Sequence, residues 1–177
     1  MNRTLSIVAA TLAMGLVAGA AQAAAPPTAT AQLVGAAGAP IGSATLTEGP
    51  SGVLIDLEVT GLTPGWHGLH LHETGVCAAD GFKSAGAHMG HMMGVSHGLL
   101  NPMGPEAGDL PNLYSTDGTA HVQVYTERVT LDPAKAGPGR LLIKGGSVII
   151  HAARDDQTSQ PIGGAGARVA CGVLKVN

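Results

Sequence analysis

Polar and apolar residues alternate through Leu69, His70, Leu71 and His72, the period of a β-strand. Runs of the same β type, bounded by glycine and proline turn signals, recur along the chain. They cover Thr28 to Leu33, Ile41 to Thr47, Val53 to Thr60 and His67 to His72, then Ala120 to Tyr125, Leu141 to Ile143, Ser147 to Ala152 and Val169 to Val176. No stretch after the N-terminal leader carries a helical period. About eight short strands at this spacing predict an all-β fold, an antiparallel sandwich or barrel. The stretch from Glu73 to Thr119 is too long for a compact connection, and loops of that length are usually functional. Its histidines point to a loop ordered by ligands.

The first 23 residues read differently. Asn2 and Arg3 lead into an apolar run from Leu5 to Ala18, and Ala21-Gln22-Ala23 offers a small-residue cleavage site. This is the pattern of a secretory signal peptide over 1–23, leaving 24–177 as one domain in an exported, periplasmic chain. Loss of Arg3 leaves eight basic against 12 acidic residues, a net charge of −4. That balance argues against nucleic acid or an anionic membrane as partner. Only 2% of residues are aromatic, so the core must be built from Val, Leu, Ile and Ala. The two cysteines, Cys77 and Cys171, fit an oxidising compartment, where an even pair forms a disulfide. Neither has a CxxC partner that would suggest a metal site.

Residues two apart in a strand share a face and sit roughly 6.5 Å apart. His70 and His72 therefore converge on one side, while His67 has the opposite parity and reads as structural. A histidine pair alone equally describes two surface rings. The supply further on strengthens the metal reading: His88, His91, His97 and His151, with Asp109 among them.

The sequence segments around these residues form a set. Gly61 to Cys77 reads GLTPGWHGLHLHETGVC; Ser84-Ala85-Gly86-Ala87-His88 and His97-Gly98 follow. Then come Gly108-Asp109-Leu110-Pro111-Asn112, His151 with Asp155-Asp156 after it, and Gly166-Ala167-Arg168-Val169-Ala170-Cys171-Gly172-Val173. Together they resemble the copper/zinc superoxide dismutase family of the bacterial exported type, from about Gly61 to the last strand. The resemblance implies an eight-stranded antiparallel Greek-key barrel with long metal-binding and electrostatic loops. It implies copper on His70, His72, His88 and His151, with His88 bridging to zinc, and His97 and Asp109 as further zinc ligands. Asp155 would link a copper histidine to a zinc histidine, Arg168 would guide the anion, and Cys77 and Cys171 would be the family disulfide. Catalysis would rest on Arg168 and on His88 as a proton carrier, with the superoxide anion as substrate; homodimer and monomer both stay open.

The chemistry agrees with these residue types. Imidazole suits copper and zinc alike, and four nitrogens in a tetragonal set suit Cu(II). An arginine supplies a permanent charge and a fork of donors to a small anion. Two departures stand out. Three residues before Asp109, where the family carries a third zinc histidine, this chain has Glu106; either Glu106 ligates zinc through oxygen or it is a solvated loop carboxylate, and His91 is a second candidate for the place. Met89, Met92, Met93 and Met103 form a methionine-rich insert, read as gap-filling under a loop, with a soft Cu(I) site as the rival. His121 reads as structural. The expected function is superoxide dismutation, and the alternative is a non-enzymatic periplasmic copper-binding protein on the same scaffold.

Overall fold

The computed structural model of the chain describes residues 24–91 and 94–177. The signal-peptide expectation for 1–23, and Met92 and Met93, lie outside the described residues.

Three consecutive strands, β1 (Thr28–Gly35), β2 (Pro40–Glu48) and β3 (Val53–Thr60), form an antiparallel meander. Strict alternation sets their faces: Val53, Ile55, Leu57 and Val59 are buried, while Leu54, Asp56, Glu58 and Thr60 face solvent. The chain then crosses to β4 (Gly65–His67) and β5 (Leu69–His72). After the long loop come β6 (Leu113–Ser115) and β7 (Thr119–Thr126), a short parallel pair β8 (Val129–Thr130) and β9 (Leu141–Leu142), and finally β10 (Ser147–His151), β11 (Arg168–Val173) and β12 (Lys175–Val176).

The main sheet runs β5-β10-β11-β1-β2-β3-β7, with β12 also against β1. Closure comes from two local devices. Asp117 and Gly118, at φ 51° and 85°, make the two-residue turn that folds β6 back beside β7, with Thr116 and Thr119 exchanging both backbone hydrogen bonds. β6 in turn pairs with β4, which continues into β5 and so returns to the start of the sheet. The expected single strand His67 to His72 is therefore divided at Gly68. Its first part pairs on one side with β6, and its second part pairs on the other with β10. The strand that follows β3 in sequence lies three places from it around this ring, which is the Greek-key crossover.

The barrel interior is aliphatic, as expected. Leu33, Leu46, Ile55, Leu57, Leu69, Leu71, Leu113, Val148 and Ile150 are fully buried there. The single phenylalanine, Phe82, packs outside the barrel with Ala85, Ile149 and Cys171. The parity of β5 therefore sorts its residues: Leu69 and Leu71 enter the core, and His70 and His72 point outward, beneath the loops.

Candidate metal centre

The long loop reaches the outer face of β5 through its backbone. Leu71 donates to the Gly108 carbonyl (2.9 Å), Met89 donates to the Leu71 carbonyl (2.8 Å), and Gly108 donates to Met89 (2.8 Å). These bonds set His88 opposite His72 and Asp109 opposite His70. Position 108 must be glycine, since a Cβ there would overlap the Leu71 carbonyl oxygen. On the far side, β10 places Ile149 against His70 and ends in His151.

Four imidazoles meet at this face: His70, His72, His88 and His151, all buried, with ligating atoms within 4.8 Å of one another. One nitrogen of three of these rings is fixed by a partner that accepts a hydrogen bond. His70 Nε2 donates to Asp155 Oδ2 (2.8 Å), His72 Nδ1 to the Gly86 carbonyl (3.0 Å) and His151 Nδ1 to the Gly166 carbonyl (3.0 Å). The fourth ring has Nδ1 3.0 Å from Asp109 Oδ1. The remaining nitrogens, His70 Nδ1, His72 Nε2, His88 Nε2 and His151 Nε2, are buried and have no hydrogen-bond partner. A single unsatisfied buried group costs about 1–3 kcal/mol, so four converging lone pairs mark a site built for a cation. Burial keeps three of the rings neutral and able to ligate. It pushes His72 down to about 2 and His151 down to about 3, and it lowers His70 despite the opposing Asp155 carboxylate.

The second set shares His88. His97 Nδ1 lies 2.8 Å and His88 Nδ1 lies 3.0 Å from Asp109 Oδ1. A geometric group of His70, His88, His97 and Asp109 forms here, although the second nitrogen of His70 is already taken by Asp155. Burial opposes charge on His97, but Asp109 and Asp155 outweigh it and raise this ring to about 10 in the metal-free protein. His88 is likewise raised against its burial by Asp109 and Glu106. Asp109 and Asp155, whose burial alone would raise them, are held well below the carboxylate range by the facing imidazoles.

Across residues 41–174 the chain matches the model of the copper/zinc superoxide dismutase family. It is 50% identical to a copper–zinc superoxide dismutase of Caulobacter vibrioides, over 83% of this chain and 85% of that protein. It is 46% identical to a second such enzyme, from Aquifex aeolicus, over 82% and 85%. A crystal structure of a superoxide-dismutase-like protein from Bacillus subtilis superposes with a TM-score of 0.75 at 35% identity, covering 82% of this chain and 97% of that one. The chain belongs to the copper/zinc superoxide dismutase family. It is thereby an oxidoreductase of a family that uses copper and zinc.

The family features expected from sequence take these positions. Asp155 bridges the two histidine sets, with Oδ2 on His70 Nε2 and Oδ1 3.2 Å from His97 Nε2. Arg168 donates from both guanidinium arms, to the Phe82 carbonyl (2.6 Å) and the Gly86 carbonyl (2.6 Å). Gly86 thus ties the arginine and His72 to one oxygen. Cys77 and Cys171 form a disulfide with Cα atoms 5.7 Å apart, fastening the loop that carries Phe82, Gly86 and His88 to β11. A pocket of about 330 Å³, lined by His88, Arg168, Gly86, Ala87, His91, Glu106, Pro161 and Ile162, opens over this corner.

Glu106 is 1% exposed, so it is not a solvated loop carboxylate. Burial raises its acid, and the His88 and His91 imidazoles outweigh that and hold it below the carboxylate range. His91 is half-exposed at the site's edge and belongs to neither histidine group. Met89 fills a gap in the core, whereas Met103 is exposed and fills none. His121 lies on the surface of β7, 3.4 Å from Glu58 and outside both histidine groups. His67 is buried outside both histidine groups, between the carbonyls of His151 and Thr63.

Three residues that position the site escaped the sequence reading as such. Asn112 brackets the Asp155 backbone, accepting from its N–H (2.9 Å) and donating to its carbonyl (2.8 Å). Gln160 does the same for His97 (3.1 and 2.9 Å). Gly163 passes so close to Asp155 that a Cβ would overlap Oδ1. The Asn of Gly-Asp-Leu-Pro-Asn was the only signal available for any of them.

Proposed function

We propose that the chain dismutes superoxide to dioxygen and hydrogen peroxide, with copper held by His70 Nδ1, His72 Nε2, His88 Nε2 and His151 Nε2. The single observation that carries this assignment is the convergence of those four buried, unpartnered nitrogens. Copper held there would supply one-electron redox chemistry, by which one superoxide is oxidised to dioxygen and a second, with two protons, is reduced to hydrogen peroxide. Zinc is assigned to His88 Nδ1, His97 Nδ1 and Asp109 Oδ1, since both ring nitrogens converge on that one carboxylate oxygen, at 3.0 and 2.8 Å.

The protein's own residues do the rest. Arg168 presents a cation beside the copper set, with its fork held rigid by Phe82 and Gly86. The chain is negative overall, so attraction of an anion must be local, and a charged pocket wall supplies it. His88 lines the pocket, and its Nε2, when it is not ligating copper, is placed to hold a proton for the reduced product. Asp155 fixes His70 and His97 and couples the two sets. A copper store on the same scaffold has no use for a guanidinium anchored beside the metal ligands, so Arg168 favours the enzyme.

We further infer that residues 1–23 direct export and that 24–177 work in the periplasm. The disulfide supports this, because such bonds persist in oxidising compartments. His72→Ala tests the copper assignment: bound copper and superoxide decay should both be lost. Normal copper content in that variant would overturn it.

A further inference from the structure

Glu106 stands where the family resemblance leads one to expect a third zinc histidine, and its carboxylate has two different environments. Oε1 accepts a hydrogen bond from His91 Nδ1 at 2.6 Å. Oε2 is buried, has no hydrogen-bond partner, and lies 2.9 Å from His88 Nδ1 and 3.9 Å from His97 Nδ1. Four donors around one tetrahedral zinc at about 2.0–2.2 Å sit roughly 3.3–3.5 Å from each other. The separations here bracket that spacing. The main chain is fixed as well, since the Glu106 N–H donates to Asp109 Oδ2 (2.9 Å) and the Asp109 N–H to the Glu106 carbonyl (3.2 Å). Glu106 and Asp109 are thus locked as one unit that turns both carboxylates inward.

We propose that Glu106 Oε2 is the fourth zinc donor and that His91 is its positioning residue, occupying Oε1 so that the carboxylate ligates through one oxygen only. This rests on the metal assignments of the preceding section. The zinc subsite becomes two nitrogens and two oxygens, with one more carboxylate than the family pattern. His91 holds the carboxylate by the same logic that lets outer hydrogen bonds orient metal ligands, whose loss typically costs about 10–100-fold in metal affinity. His91 is half-exposed and lies in the pocket wall beside Arg168, so it can be replaced without opening the core.

The test uses the full chain, stripped of metal and titrated with zinc against a chelator, then loaded with cobalt(II) at the same subsite. His91→Ala should weaken zinc about tenfold, at the lower end of the range for outer partners. Its cobalt visible band should lose intensity, because a freed carboxylate can add its second oxygen and raise the coordination number. His91→Asn, whose amide N–H lies near the place of Nδ1, should restore both. Glu106→Ala should weaken zinc further, and adding His91→Ala to it should change nothing more, since His91 acts through Glu106. Additive losses, or a His91→Ala protein that binds zinc and cobalt like wild type, would overturn the proposal. The underlying metal reading fails separately, if wild-type protein takes up no copper or leaves superoxide decay unchanged.

Discussion

Cutting the disulfide probes how the site is held. Cys77 is half-buried in the loop, whereas Cys171 is fully buried on β11 among Phe82, Ala85 and Ile149. Cys77→Ser is therefore the cleaner change, because it spares the buried sulfur. The bond closes a loop with a sequence separation of 94. The chain-entropy relation gives about 4.7 kcal/mol for a loop of that length, near the top of the 2–5 kcal/mol typical of native disulfides. A domain of this size shifts by about 2–4 °C per kcal/mol, so the melting temperature should fall by about 9–19 °C. Calorimetry on metal-free protein is the right assay, because metal bound to the folded state adds stability of its own. The variant should also rebind copper more weakly, since the freed segment carries His88 and the Gly86 carbonyl that fixes His72 and Arg168. A fall below about 3 °C, worth roughly 1 kcal/mol, would refute the loop-entropy reasoning.

Further outcomes follow from the same geometry. In metal-free protein His97 is raised to about 10, so at pH 7 it is protonated, and zinc must displace a proton from it. Zinc affinity should therefore rise about tenfold per pH unit per proton below that value, and calorimetry in buffers of different ionisation enthalpy should find at least one proton released; none released would contradict the ring's charged state. Gly163→Ala should push Asp155 off His97 and His70 and lower zinc affinity about 10–100-fold, read by chelator competition; unchanged affinity would remove Asp155 from its bridging role. Arg168→Glu should leave copper stoichiometry intact and slow superoxide consumption, and the wild-type rate should drop as added salt shortens the screening length to about 10 Å at 0.1 M; a rate indifferent to charge and salt would favour a copper store.

Much of this centre was legible in the sequence, because strand parity is a strict rule. The two-residue spacing of His70 and His72 put both rings on the outer face. The division of that strand at Gly68 was not legible, since it depends on β6 and β10 arriving on opposite sides. The Asp117-Gly118 turn is local and carried a usable signal; β9 falls within the expected run Leu141 to Ile143, but β8 is too short to show any period. For Glu106, in Gly-Pro-Glu-Ala-Gly, the sequence left a zinc ligand and a solvated loop carboxylate both open. Its carboxylate is held by His91, 15 residues away, and its backbone N–H by the Asp109 carboxylate. Asn112 and Gln160 act on backbone 43 and 63 residues distant, and contacts of that kind leave no pattern in the chain.

The central claim is that four buried ring nitrogens hold a copper that consumes superoxide. Stopped-flow decay of superoxide, with the full chain loaded with one equivalent of copper, tests it most directly. The decay should be first order in protein and far faster than spontaneous dismutation, and His72→Ala should abolish the acceleration. Decay at the spontaneous rate with copper bound would contradict it.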